Sequence, residues 1–265
     1  MISLTPFDLS IPAILVLLLA ATSWRIGAGI ERKLLWAALR TTLQLLFIGW
    51  ILKELFAQSN PVWIALMATI MLLFAGREVM SRQQRTFRGF WGYGMGTLAM
   101  FISSFGVAFI ALQLIIQPDP WYQPQYAIPL LGMLLGNTMN GISLGLDRLT
   151  SSAWQERHQI EAKLMLGFTA HEAAAKLRQD AVRVGMIPMI NAMAAAGIVS
   201  LPGMMTGQIL AGAPPMEAVK YQILIMFLIT IGTGFGTLFA INAGAARLFD
   251  ERDRLRLDRL KTHKG

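Results

Sequence analysis

The sequence predicts an all-α, polytopic membrane protein with about seven transmembrane helices, its N-terminus outside and its C-terminus cytoplasmic. Three observations predict it. Of the 265 residues, 55% are hydrophobic and only 14% charged, where ordinary soluble domains carry about a quarter charged residues. Apolar runs recur along the whole chain, most of them near or above the roughly 20 residues that a helix needs to cross a hydrocarbon core. When loops are sorted alternately, 21 of the 23 Lys and Arg residues fall on one side and only Lys53 and Lys220 on the other. Short cytoplasmic loops retain Lys and Arg, and an odd number of spans puts the termini on opposite sides, so charge and span count agree.

The first run, Leu9–Trp24, is the shortest. The preceding "MISLTPFD" has no basic n-region and no small-residue cleavage site follows, so it reads as a retained helix rather than a cleaved signal. The second, Leu34–Leu52, contains Arg40 close enough to its start for the side chain to snorkel to the interface. The third is Val62–Met80. The fourth, Phe90–Ile116, opens on "GYGMG", small residues that suit close packing. "QPDPWYQPQY" then forms an outer cap, with Trp121, Tyr122 and Tyr126 in an aromatic belt.

The fifth run, Ala127–Leu146, places Gly132, Gly136, Asn140, Ser143 and Asp147 along one helical face. With Asn137 and the flanking Met139 they make a candidate substrate pathway, Asp147 at its cytoplasmic end. Close packing through the Gly132/Gly136 pair is the competing reading.

Residues 150–183 form the one cytoplasmic loop with room for a folded element. Ser152 with Gln155 and Thr169 with Glu172 have capping-box spacing, and Gly167 stands where a helix commonly ends. The reading is a helix over Ala153–Leu166, a glycine turn, and a second helix from Ala170 that runs into the sixth span. Such a bend presents a knob to a partner below the membrane, or lies on headgroups.

The sixth run, Val184–Ala211, contains "SLPGMMTGQ". Pro202 kinks or breaks a helix, and Ser200, Met204, Met205 and Gln208 cluster at the break as a second group of pathway candidates, with a purely structural kink as the alternative. The seventh run, Val219–Ala240, carries Gly232, Gly236 and Ala240, with Gly244 beyond, at four-residue spacing, a packing seam within the subunit or in a dimer. The tail "ARLFDERDRLRLDRLKTHKG" reads as a solvated helix on the membrane surface.

Several classes are excluded. No cysteine is present, which removes disulfides and thiol chemistry. The net charge of +8 sits beside spans, where it sets topology and meets anionic lipid, so no nucleic-acid partner is expected. No phosphate loop of the G-x-x-x-x-G-K-[ST] type occurs; the chain has no ATPase motif, is not an enzyme by that route, and binds no cofactor of its own. "HEAAA" at His171 lacks the second histidine of an intramembrane metalloprotease. No Asp or Glu lies mid-span, which disfavours proton-coupled transport, and His158, His171 and His263 all fall in predicted cytoplasmic segments, leaving the metal site unknown.

"EAKLMLG" fits the Glu-Ala-Ala-x-x-x-Gly loop of bacterial ABC permeases at Glu161, Ala162 and Gly167, with Lys163 in place of the second alanine and no Ile-x-Leu-Pro ending. Together with "PLLGMLLGNTMNGISLGLDRL" and "GIVSLPGMMTGQILAGAPPMEAVKYQI", it makes the whole chain resemble the FetB-type permeases, membrane subunits of iron-export ABC transporters, and the related plant aluminium-tolerance permeases. The resemblance implies one permease domain over residues 1–265, located in the bacterial inner membrane as a homodimer. It implies export of a metal ion or chelate, powered by a separate ABC ATPase that uses ATP and Mg. The bend would dock in that ATPase through Glu161, Ala162, Gly167, Phe168 and Thr169. The alternative is a gradient-driven transporter or channel.

Overall fold

The computed structural model describes residues 5–57 and 60–262; His263 and Lys264 lie outside them. The chain divides into two units, one up to Asn60 and one from Pro61 onward.

The first unit is a helical pair. α1 spans Pro6–Ile26, opened by a capping box between Thr5 and Asp8 and closed by Gly27 in the left-handed conformation. α2 spans Glu31–Ala57. Both display long apolar side chains outward, among them Leu15, Leu18, Trp36, Leu46 and Phe47. In water such faces would seek cover; in lipid they need none.

The second unit is a bundle of long helices. α3 is Pro61–Ser81. A short strand, β1 (Arg85–Phe87), follows. α4 runs over Phe90–Ile116, with π-helical turns at Phe101–Phe105 and Ala111–Ile116. α5 is Pro124–Gln155, α6 is Arg157–Met165 and α7 is the single turn Ala170–Ala173. α8 is Ala175–Ala195, α9 is Gly203–Leu210 and α10 is Pro215–Arg247. A second strand, β2 (Leu260–Thr262), pairs antiparallel with β1, Thr86 opposite Lys261.

Six of the described helices are long and apolar enough to cross a membrane. They correspond to six of the seven expected spans. The expected sixth differs: it is split into α8 and α9, and residues 196–202 between them are not helical. Gly197 adopts φ +84°, and the Val199 and Ser200 N–H groups both donate to the Ala195 carbonyl. Pro202 therefore lies at the N-cap of α9 rather than inside a kinked helix, a position where its missing N–H costs nothing.

Three other expectations are corrected. α5 does not end near Leu146 but continues to Gln155, because beyond the charged Asp147–Arg148 pair its inner face resumes with buried Leu149, Thr150 and Ala153. Ser152 is consequently a buried mid-helix residue and caps nothing, and the loop helix begins after a break at Glu156, not at Ala153. The tail is not a surface helix. Phe249 bridges to Leu255 in a tight turn, and a 3₁₀ turn, Leu257–Arg259, leads into β2. The reason is local: the Asp250 carboxylate accepts from the Arg252 and Arg254 N–H groups, an Asx-type turn that competes with helix.

The core of this unit sits at the end where β1 and β2 pair. Val79, Phe87, Met100, Leu146, Leu149, Ile241, Leu248 and Leu260 pack into one cluster. Higher in the bundle the helices approach through small residues. A Cβ on Gly145 would meet Ile241 Cδ1 at 2.7 Å, and one on Gly236 would meet Thr138 Cγ2 at 2.6 Å. The seam predicted on α10 is thus a contact within the subunit: Gly232 and Gly236 face α5 at Leu134 and Thr138, and Gly244 faces Leu146 and Leu149. In "GYGMG", Gly92 packs under the Phe87 carbonyl and Gly96 against Val79. Within the subunit the Gly132/Gly136 pair makes no close helix contact, since a Cβ on Gly136 would meet nothing within 4 Å; the close-packed pair on α5 is Gly141 and Gly145.

Candidate functional site

Three regions hold the predicted functional residues, and they do not converge into one. The first is the bend between α6 and α8. Glu161 is exposed on α6, its carboxylate 3.8 Å from His158 Nδ1. Ala162 lies beside it. Gly167 takes φ +90° with open space around it, which reverses the chain. Thr169 then caps the next turn. Its hydroxyl accepts from the Glu172 N–H while the Glu172 carboxylate accepts from the Thr169 N–H at 2.9 Å and hydroxyl at 2.8 Å. Those two donors, the N–H first, hold the Glu172 carboxyl below its ordinary pKa. Behind the bend, Ile160, Ala173 and Ala174 are buried in the core cluster, so the turn is anchored. At its tip Met165 is 83% exposed, Leu166 79% and Phe168 47%. An apolar tip on an anchored, capped turn is an exposed patch of the kind that meets a partner or lipid. Phe168 is among the docking residues that the sequence resemblance implies; Met165 and Leu166, the most exposed part of the tip, are what sequence reading passed over.

The second region is the α5 face. Asn140 is exposed and its Oδ1 accepts from Arg82 Nη1 at 2.6 Å. Arg82 also pairs with Glu78 at 3.3 Å. Asp147 Oδ1 accepts from the Gln84 N–H at 2.7 Å. Ser143 is buried against the Val79 carbonyl, and Asn137 returns its amide to the Met133 carbonyl at 2.8 Å. Asn140, Ser143 and Asp147 thus tie α5 to the end of α3 and the turn that follows. Arg82 was missed because it reads as one more topological cation. The interior of the bundle also holds hydroxyls that no periodicity flagged. Ser103, Ser104, Thr138, Thr233 and Thr237 are all buried, with Ser104 donating to Thr138 at 3.2 Å.

The third region is at the opposite end of the bundle from the bend. Met204 and Gln208 of α9 line a cavity of about 240 Å³ with Met133 of α5, and Gln125, Tyr126 and Tyr221 stand among its walls. Met205 is buried behind them. Ser200 is exposed and its hydroxyl donates to the Ala195 carbonyl; Pro202 accepts from the Thr206 N–H and hydroxyl. Of the residues expected in an aromatic belt, Tyr126 lines this cavity and Trp121 stacks edge-on with Tyr122 at 5.8 Å and with Phe109 at 5.7 Å. Among the described residues no group of three or more His, Asp or Glu is placed to hold a metal ion.

Comparison with known proteins gives a family. The model of UPF0014, described as an uncharacterised protein family, matches residues 6–249. A UPF0014 membrane protein of Synechocystis is 40% identical over 237 residues, 89% of this chain and 90% of that protein. The probable iron export permease protein FetB of Escherichia coli is 29% identical over 260 residues, 98% of each chain. The protein ALUMINUM SENSITIVE 3 of Arabidopsis thaliana is 31% identical over 213 residues, 80% of this chain and 76% of that protein. No solved structure matches the chain.

Proposed function

The chain belongs to the UPF0014 family of multi-pass membrane proteins, and from that premise we propose that it is the permease subunit of an ABC transporter exporting iron or a related metal across the bacterial inner membrane. Its relative in Escherichia coli carries the name of a probable iron export permease, which supports the cargo class. ATP and Mg are handled by a separate ATPase subunit, since the sequence holds no phosphate loop, and two copies of this chain accompany two ATPases.

The observation that carries the reading is the apolar tip Met165–Leu166–Phe168 on its capped turn. It stands on the side where nearly all Lys and Arg lie, the cytoplasmic side by the charge rule, where the ATPase would be. Glu161 at the flank supplies a charge for registering the dock.

Topology follows from the same premise. The apolar part of α8, from Val184 to Ala195, is about 18 Å long and the eight residues of α9 add about 12 Å. Laid end to end they match the roughly 30 Å of the hydrocarbon core. Read as one interrupted crossing, α8 and α9 complete seven, with the N-terminus outside. Non-helical backbone at membrane depth needs its polar groups satisfied, and the hydrogen bonds to the Ala195 carbonyl do this in part.

The test is reconstitution of this chain in proteoliposomes with its ATPase, following Fe²⁺ movement with and without ATP. ATP-dependent flux that disappears in a Leu166→Glu, Phe168→Glu variant of unchanged thermal stability supports the proposal. Metal flux through this chain alone, indifferent to ATP, overturns it in favour of a gradient-driven transporter or channel.

A further inference from the structure

We infer that the cavity between α5, α9 and α10 at the end of the bundle remote from the bend is a cation site. It would be selective for soft or borderline metal ions, with the Met133 and Met204 thioethers and the Gln208 carboxamide oxygen as its ligand set. The inference rests on the reading of the chain as a metal permease and names a chemistry for the far end of its path.

Three observations converge on this place. The first is shape: the space is about 240 Å³, enough for an ion with part of its hydration shell, and Gln125, Tyr126 and Tyr221 line its exposed mouth. The second is an acceptor without a donor. Gln208 Oε1 is shielded from solvent and has no hydrogen-bond partner among the described residues. A buried carbonyl oxygen left this way is costly, and a cation in the cavity would satisfy it. The third is the donor set. Met133 and Met204 reach the same cavity from different helices, α5 and α9, so an ion between them would bridge the interrupted segment to the continuous one.

The ligand types set the selectivity. Thioethers are soft donors and favour ions such as Cu(I) and Ag(I), with Fe(II) next; Mg²⁺ and Ca²⁺ want carboxylate and water oxygen. Among the described residues no Asp, Glu or His lines the cavity. Neutral ligands cannot offset the full loss of hydration of a divalent ion, so occupancy is brief and weak. That is the property required at the place where an exported ion leaves. The ring faces of Tyr126 and Tyr221 at the mouth add a weak attraction for a departing cation.

The experiment uses the full chain in detergent, without any ATPase, and Ag(I) as a soft probe that, unlike Cu(I) or Fe(II), dilute peroxide does not oxidise. Methionine oxidation by dilute peroxide is followed residue by residue by peptide mass spectrometry. A thioether that holds a metal has its lone pair engaged and oxidises more slowly. Ag(I) should slow oxidation of both Met133 and Met204 several-fold while leaving the exposed Met165 unaffected, and Mg²⁺ at the same concentration should do nothing. In Met204→Leu the protection of Met133 should vanish, in Met133→Leu that of Met204, and in Gln208→Leu both should weaken. Equal protection of Met165, no protection of either cavity methionine, or protection of Met133 that survives Met204→Leu would each overturn the site. The assay needs no transport, so its failure is separate from failure of the permease reading, which the proteoliposome experiment decides.

Discussion

Gly141 and Gly185 meet face to face where α5 crosses α8: a Cβ on Gly185 would stand 2.7 Å from the Gly141 carbonyl oxygen and 2.8 Å from Thr237 Cγ2. The first distance is to backbone, which cannot swing aside. Gly185→Ala should therefore separate the helices and lower stability by about 1–3 kcal/mol, the usual cost of overpacking. Gly145→Ala meets the end of the buried Ile241 side chain at 2.7 Å and the Ala181 carbonyl oxygen only at 3.2 Å, so its backbone conflict is milder and its loss should be smaller. Gly136→Ala meets nothing and should be neutral or stabilising by about 0.5–1 kcal/mol through helix propensity. Thermal unfolding of the three variants in detergent checks the order.

How much of this was legible beforehand differs by element. The spans were visible because a hydrocarbon core demands long apolar runs, and all but one of them survive as continuous helices. The one that is interrupted, Val184–Ala211, carries only scattered polar residues; its non-helical stretch holds Gly197 in the left-handed region and ends at Pro202, and the sequence left a kink and a break at that proline equally open. The end of α5 was misplaced because Asp147 and Arg148 look like a membrane boundary, whereas helix continuity is decided by Leu149 and Ala153 packing inward. The tail defeated periodicity because Asp250 organises a turn by side-chain hydrogen bonds and Leu260 pairs with a strand 173 residues earlier. The bend was legible through Gly167 and Thr169, whose chemistry is local. The cavity around Gln208 was half legible: the sequence grouped it with Met204, but Met133 joins only through the packing of α5.

The bend between α6 and α8 separates stability from the proposed coupling. Gly167 has φ +90°, a conformation costing other residues roughly 1–2 kcal/mol. Thr169→Ala removes a cap worth about 0.5–2 kcal/mol. Both should loosen the bend, read as faster amide exchange at residues 166–173. Phe168→Asp, by contrast, changes an exposed tip. It should leave exchange unchanged while reducing copurification of the ATPase at least tenfold, the effect of roughly 1.4 kcal/mol at an interface anchor.

The α3–α5 link gives a graded series. Asp147→Asn keeps an oxygen that can accept from the Gln84 N–H, now 2.7 Å away, while Asp147→Leu removes it. The asparagine variant should lose little and the leucine variant about 0.5–1.5 kcal/mol, the net worth of one hydrogen bond whose donor can turn to water. Asn140→Ala, at the exposed Arg82 contact, should cost under about 1 kcal/mol. A change in transport by Asn140→Ala at intact stability would assign this face to the path; lowered stability with unchanged transport would leave it to packing alone.

The tail turn should open in acid, and the direction follows from Asp250. The Arg254 N–H, the Arg254 guanidinium and the Arg252 N–H hold its carboxyl at about 2, below the ordinary 3.8. A carboxyl lowered on folding stabilises the folded turn at pH values above its unfolded pKa. That contribution is lost as pH falls through the folded value. The turn should be intact above about pH 4 and loosen progressively toward pH 2. Amide exchange at Arg252 and Arg254, corrected for its intrinsic pH dependence, should show protection at pH 6 that is gone near pH 2. Asp250→Ala should abolish that protection at every pH. If the alanine variant instead keeps the wild-type protection profile, pairing of Leu260 with Phe87, not the carboxylate, holds the turn.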